Sequence, residues 1–189
     1  MAYQKHHIIT MPRLNRSLSQ VRNELATHGL WTEALSEVEV YLTGFGVHYG
    51  YQYYKSSGQI EIPAISLDRL CESLLGREVL SLRDLLRHEY GHALADNHRG
   101  LIRSRQFRNA FGTHHDDTEP ARYDPDQHVS GYASTSASED FAETFMYYVK
   151  HKGKLPKAFK VPKIKEKWSF VRQLCSQIQS GKRRWAPEN

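Results

Sequence analysis

The chain of 189 residues is poor in cysteine and has no long apolar stretch. Its two cysteines, Cys71 and Cys175, lie far apart, so we expect buried thiols rather than a disulfide framework or a Cys-x-x-Cys zinc site. No apolar run reaches the roughly 20 residues that a membrane-spanning helix needs. The first residues also lack the apolar segment of a signal peptide. The sequence therefore predicts a cytoplasmic protein that makes no use of a membrane.

Acidic residues are scarce in one region, 150–184, where Glu166 is the only acid among many lysines and arginines. The whole chain carries a formal net charge of +5. A basic segment can attract nucleic acid, acidic lipid or an acidic protein, but most such segments are solvated surface. We favour the solvated surface. The alternative is a nucleic-acid-associated zinc protein, or a protease that acts on DNA-bound proteins.

Alternating apolar residues predict a small N-terminal sheet. The stretches 37–43, 47–54 and 58–65 have the β-branched and aromatic residues of strands, and the last two are arranged as a hairpin. Proline cannot donate a hydrogen bond to a neighbouring strand. Pro63 therefore predicts that the strand 58–65 lies at an edge of the sheet.

Helices are predicted on both sides of this sheet. Ser81 and Ser136 are expected to cap two of them. The helical stretches run from Asn15 or Ser17 to Gly29, and over 67–76, 82–98, 104–111, 137–153 and 164–178. This order predicts a single α+β domain with one core. Its parts are an N-terminal helix and sheet (1–80), the helices of the candidate site with a loop between them (81–153), and a basic C-terminal helix and tail (154–189).

The stretch HEYGH, residues 88–92, is the strongest functional signal. His88 and His92 share one face of a helix, where two imidazoles can bind one zinc ion at about 2.0–2.1 Å. Glu89 lies about 100° round the helix, where it can take a proton from metal-bound water. Apolar neighbours predict a buried helix, in which unpartnered His and Glu would be costly. A chance polar cluster on a surface helix is the less favoured alternative.

A third protein ligand would leave the fourth zinc position open for water. His98 has the spacing of the metzincin signature, but Ala95 stands where that signature has the glycine that ends the helix sharply. Glu139, with Glu143 one turn further on the same face, is the other candidate, and we favour it. Its alternative role is a capping box with Ser136, in which Glu139 would only cap its own helix.

Two neighbours of Glu139 have chemistry that suits a zinc site. The carboxylate of Glu143 could accept a hydrogen bond from the free ring nitrogen of a ligand histidine. Tyr132, just ahead of the helix, has a phenol that could donate to a developing oxyanion. The pattern predicts peptide-bond hydrolysis, in which Glu89 activates a zinc-bound water while zinc and Tyr132 stabilise the oxyanion.

HEYGH together with YASTSASEDFAETF, residues 132–145, resembles the gluzincin zinc metallopeptidases. This family includes the catalytic domain of anthrax lethal factor and small bacterial zinc-binding peptidases, and the likeness covers mainly residues 80–150. The resemblance implies a zincin-like fold in which the strand 58–65, beside the active-site helix, binds an extended peptide. It implies zinc binding by His88, His92 and Glu139, a general base in Glu89, an oxyanion donor in Tyr132 and a supporting carboxylate in Glu143.

The segment 99–131 departs from the simplest form of this pattern. It carries His114, His115, Asp116, Asp117 and His128, and we expect a solvated loop over the cleft. A second ion site, or a plug of the cleft, is the alternative. A third possible function is an inactive zincin that binds a partner through its cleft. The intact Glu89 argues against it, because a pure binding site needs no base.

Overall fold

The structure, a computed structural model, describes residues 8–46, 50–54, 57–67 and 80–186. It has mixed α+β architecture, as predicted. Cys71 and nearly all of the predicted helix 67–76 lie outside the described residues. The helices and strands are α1 Met11–Thr27, α2 Glu33–Ser36, β1 Glu39–Gly46, β2 Gly50–Tyr54, β3 Ser57–Ser66, α3 Leu82–Asn97, α4 Arg99–Ile102, α5 Arg105–Phe111, α6 Ala137–Lys150 and α7 Pro162–Gln179, with 3₁₀ turns at Tyr132–Ser134 and Lys157–Phe159.

The sheet has three strands in the order β1–β3–β2. The predicted hairpin is confirmed, because β2 and β3 pair antiparallel with Tyr51 opposite Ile60. The predicted edge position of the strand 58–65 is wrong, because β3 also pairs with β1, in parallel, and is the central strand. Among the described residues, β2 pairs with β3 from Ser57 to Glu61, so Pro63 lies beyond this pairing. On its other side Pro63 lies opposite Thr43 of β1.

Helix α1 begins earlier than predicted. Its cap is Thr10, whereas Asn15 and Ser17 lie inside the helix. The predicted start at Asn15 or Ser17 is wrong because Pro12, with its fixed φ and missing N–H, suits the first helical turn better than an interior position. Gly29 follows the helix end with φ +65°, as expected of a stop. The buried face of α1 covers α3 with the apolar side chains Leu14, Leu18, Val21 and Leu25.

Helices α3 and α6 pack against each other and carry the candidate site. Gly91 lies at their contact, where an added Cβ would be 3.1 Å from Cδ1 of Phe145 and 3.3 Å from Cα of Ala142. The missing side chain therefore lets the two helices approach closely. Ser81 and Ser136 cap α3 and α6 as predicted, each hydroxyl accepting a backbone N–H from three residues later.

Part of the basic C-terminal segment is buried and paired with an acidic residue. Lys167 in α7 is 2% exposed and donates to the carboxylate of Asp140 at 2.5 Å. Lys163 pairs with Glu166 on the surface at 3.1 Å. Cys175 is buried, as predicted. Among the described helices, α7 included, none is long and apolar enough to cross a membrane.

Candidate metal centre

Three side chains from α3 and α6 meet at one point. Nε2 of His88 is 3.1 Å from Nε2 of His92 and 3.0 Å from Oε2 of Glu139. The same oxygen of Glu139 is 3.3 Å from Nε2 of His92. Ligand atoms on a tetrahedral zinc ion with bonds of about 2.0–2.1 Å lie roughly 3.3 Å apart. The triangle is therefore close to the size that a metal ion needs, and this His-His-Glu group could hold one.

The oxygen of Glu139 at this point lacks a hydrogen-bond partner among the described residues, although it is buried. Its nearest polar neighbours are the two imidazole nitrogens, at 3.0 Å and 3.3 Å. A buried carboxylate oxygen left in this way costs free energy, which a cation inside the triangle would remove. Ser136 caps the helix by accepting the backbone N–H of Glu139. The side chain of Glu139 contacts the histidines instead of capping its own helix.

The pKa values of these groups show how strongly the site attracts positive charge. Burial alone would lower the pKa of His88, but Glu139 and Glu143 outweigh burial and raise it to about 10. Burial would raise the pKa of Glu139, but the two histidines outweigh it and lower the pKa to about 2. In the absence of a metal, His88 therefore holds a proton among carboxylates. A metal ion would take the place of that positive charge.

Glu143 contacts His88 on the side away from the triangle. Its Oε1 is 2.9 Å from Nδ1 of His88, and its Oε2 accepts a hydrogen bond from the hydroxyl of Ser130 at 2.7 Å. A carboxylate at Nδ1 keeps the ring proton there and leaves Nε2 available to a metal. The structure thus brings Glu143 to the position expected of a supporting carboxylate. Ser130 was not predicted, since it lies in an irregular segment with no periodic pattern.

Glu89 lies on the wall of the cleft beside the triangle and is 3% exposed. Its Oε2 accepts the backbone N–H of Tyr51, in β2, at 2.6 Å. Burial raises the pKa of Glu89, with the two histidines acting in the opposite direction. One oxygen is held by the strand, which leaves the other for proton transfer. The contact with Tyr51 was not predicted, because a backbone donor has no sequence signature.

The site opens into a cleft of about 330 Å³. Tyr132 stands at this cleft, 55% exposed, with its ring centre 5.7 Å from that of His88. The structure therefore brings Tyr132 next to a candidate ligand. The cleft is lined by Gly50, Tyr51, His88, Glu89, His92, Asp96, His115, Tyr132, Ser138 and Glu139.

His98, the alternative third ligand, is not part of the His-His-Glu group. It lies at the C-terminal end of α3, where burial and the nearby charge of Arg183 lower its pKa. Its Nε2 is buried and has no hydrogen-bond partner among the described residues. The structure thus brings Glu139, rather than His98, to the pair His88 and His92.

The segment between α5 and α6 contributes one histidine to the cleft. His115 lines it, packs edge-on against Phe107 and has its pKa lowered by burial. The neighbouring Asp116 is exposed and pairs with Arg103 at 3.0 Å. Within the described parts of the chain, no second group of three or more His, Cys, Asp or Glu residues has its ligand atoms this close together. The position of His115 at the cleft agrees with the expectation that the segment 99–131 lies over it.

Comparisons with known proteins add no family to this description. No family model matches the chain, and no curated protein or solved structure matches it either. The resemblance to gluzincins therefore rests on the motif residues alone. The description of the site rests on the distances measured between its atoms.

Proposed function

We propose that this chain is a zinc-dependent peptidase. The observation that carries the proposal is the triangle of His88, His92 and Glu139, with Glu89 beside it on the wall of an open cleft. Two imidazoles and a carboxylate are a ligand set of catalytic zinc sites, which keep the fourth position for water or substrate. The unpartnered oxygen of Glu139 supports a cation at this point.

The side chains around the triangle have the groups that peptide hydrolysis requires. Zinc bound there would lower the pKa of a water molecule and polarise the substrate carbonyl. Glu89 is placed to act as the general base, which would accept a proton from water in the cleft and pass it to the leaving amine. The N–H of Tyr51 fixes one oxygen of Glu89 during this transfer, and burial favours the protonated carboxyl. Tyr132 donates its phenolic hydrogen to the oxyanion that develops on the substrate.

The position of β2 supports a peptide as the substrate. Among the described strands β2 lies at an edge of the sheet, and its residues Gly50 and Tyr51 form part of the cleft wall. An extended peptide can add to a strand edge through main-chain hydrogen bonds, while pockets select its side chains. β2 therefore takes the role that the sequence assigned to the strand 58–65.

The variant Glu89→Gln tests this function. We expect it to bind about one zinc ion per chain, as the wild type would, because Glu89 is not a ligand. We expect it to lose at least about a hundredfold in hydrolysis of an unfolded protein such as casein, because the amide cannot accept the proton. Zinc is measured by plasma mass spectrometry, and hydrolysis by the release of soluble peptides.

The matched control is Glu119→Gln, the same chemical change at an exposed position. It should keep both zinc and hydrolysis. A wild-type protein that binds no zinc would refute the metal site. A Glu89→Gln variant that hydrolyses casein like the wild type would refute the general base.

A further inference from the structure

Ser130 joins two parts of the proposed catalytic site. Its hydroxyl donates to Oε2 of Glu143 at 2.7 Å and accepts the backbone N–H of Ala133 at 3.1 Å. Ala133 belongs to the 3₁₀ turn Tyr132–Ser134. One hydroxyl group thus holds both the carboxylate that orients His88 and the turn that carries Tyr132.

The link to His88 runs through a buried carboxylate. Glu143 is 2% exposed, and its two oxygens contact Nδ1 of His88 and the hydroxyl of Ser130. Without the hydroxyl, one of these oxygens would lose its donor inside the protein, and the carboxylate would gain freedom to rotate. The bond at Nδ1 sets the tautomer and the ring orientation of a ligand histidine. Ser130 therefore acts on the ligand His88 although it does not touch it.

The link to Tyr132 runs through the backbone of the turn. Ala133 is 1% exposed, so its N–H has little access to water as a substitute for Ser130. The nearby Ser134 has a different bond, since its hydroxyl donates to the carbonyl of Gly131 at 2.8 Å, within the same segment. Ser134 supports the local geometry of the turn, whereas Ser130 ties the turn to Glu143 in α6.

We propose that Ser130 is a positioning residue that couples metal binding by His88 to the placement of Tyr132. This inference rests on the proposed zinc-dependent function. Coupling between two sites is reciprocal in binding free energy. Zinc binding therefore steadies the turn 131–135, and loss of the tie through Ser130 weakens zinc binding.

Three variants test the coupling. Ser130→Ala removes the shared hydroxyl, Ser130→Thr restores one, and Ser134→Ala removes a hydroxyl from the same turn without touching Glu143. We expect the dissociation constant of zinc, measured by competition with a chelator, to rise about ten- to hundredfold in Ser130→Ala. In Ser130→Thr and Ser134→Ala it should stay close to the wild-type value.

Amide hydrogen exchange distinguishes coupling to zinc binding from a role of Ser130 that is limited to the stability of the turn. In the wild type and in Ser134→Ala, zinc should slow exchange of the amides in 131–135. In Ser130→Ala, zinc should leave their exchange unchanged. A role limited to the stability of the turn would instead speed exchange by the same factor with and without zinc.

The outcomes separate this inference from the proposed function. If the wild type binds zinc and Ser130→Ala binds it equally well, the coupling is refuted and the metal site stands. Equal loss of affinity in Ser130→Ala and Ser134→Ala also refutes it, because the turn alone would then explain the effect. A wild type that binds no zinc overturns both proposals.

Discussion

Two adjacent clusters of buried charge on helix α3 are balanced differently. In the first, Arg87 binds Glu24 from α1 at 2.8 Å and also contacts Asp84, which Lys150 from α6 approaches at 3.0 Å, so that two acids face two bases. The second begins at the next residue, where His88 and His92 meet the three carboxylates of Glu89, Glu139 and Glu143. In the described parts of the chain, no lysine or arginine forms an ion pair with these three carboxylates.

This difference separates a charge network that is balanced by its own residues from a group of residues that could hold a metal ion. Buried charges are tolerated when each has a partner of opposite charge. In the charge network of Glu24, Asp84, Arg87 and Lys150, every charged group has such a partner within the network. The histidine site keeps an excess of negative charge that a bound cation would balance. The first network should therefore stabilise the protein equally with and without zinc, whereas the histidine site should stabilise it further when zinc binds.

The largest effect is expected from Asp84→Asn in the charge network. It leaves the buried Arg87 with one carboxylate fewer, and loss of one partner from a buried pair costs about 3 kcal/mol. The free energy of unfolding, measured with denaturant, should fall by that amount both with zinc and with a chelator. Asp126→Asn, an exposed equivalent, should leave it unchanged. A loss seen only in the presence of zinc would contradict the distinction between the charge network and the histidine site.

The pH dependence of the same variant sharpens this prediction. Burial would raise the pKa of Asp84, but hydrogen bonds from Ser81 and Lys150 and the charge of Arg87 outweigh it, so the pKa lies below the ordinary 3.8. A lowered carboxyl pKa contributes stability above the unfolded value, and this stability is lost as pH falls through the folded value. Below about pH 4, the wild type should therefore lose its advantage over Asp84→Asn. An advantage that persisted undiminished at lower pH would contradict the assignment.

The next effect is expected from Glu139→Gln in the triangle. A ligand that binds only the folded state adds about 2.7 kcal/mol of stability at a free concentration 100 times its dissociation constant. Zinc should give the wild type this increment at the corresponding concentration, as measured by unfolding with zinc and with a chelator. The amide lacks the negative charge of the ligand, so the increment should vanish in Glu139→Gln. Asp84→Asn should keep it, and an increment that survived in Glu139→Gln would exclude Glu139 as a ligand.

A smaller effect is expected from Gly91→Val, which tests the contact that brings the two helices together. A valine there meets Phe145 and Ala142 too closely, and overpacking of this kind costs about 1–3 kcal/mol. Zinc affinity should fall as well, because α3 and α6 must separate. Gly44→Val is the matched control, since an added Cβ there meets no atom within 4 Å. An unchanged zinc affinity in Gly91→Val would show that the site tolerates a shift of the helices.

The smallest effect is expected from His98→Ala. His98 lies beside Arg183 at the end of α3, outside the His-His-Glu group, so the dissociation constant of zinc should stay at its wild-type value. Competition with a chelator measures it. Loss of zinc in His98→Ala, with full affinity in Glu139→Gln, would favour the metzincin-like ligand set instead.

The parts of the site that lie within one helix could be predicted from the sequence. His88 and His92 share a face because of the helical repeat, as do Glu139 and Glu143, and Ser136 caps the second helix as its sequence suggests. These features depend on neighbours within four residues. Local patterns therefore contained most of the candidate ligand set.

The parts of the site that depend on distant contacts could not be predicted. β3 is central because β1 pairs with it on the side opposite β2. No local signal in the sequence indicates this pairing, and for that reason the prediction of an edge strand from Pro63 was wrong. The N–H of Tyr51 and the hydroxyl of Ser130 reach the site from a strand and an irregular segment. Their roles follow from packing, which brings residues 38 and 13 positions apart into hydrogen-bonding distance.

Anomalous diffraction at the zinc absorption edge, from crystals of the zinc-loaded protein, tests the central claim most directly. The account predicts one strong peak at the position of a zinc ion that lies about 2.0–2.2 Å from Nε2 of His88, Nε2 of His92 and a carboxylate oxygen of Glu139. A peak on His98 or on the segment between α5 and α6, or no peak at the triangle, would contradict it.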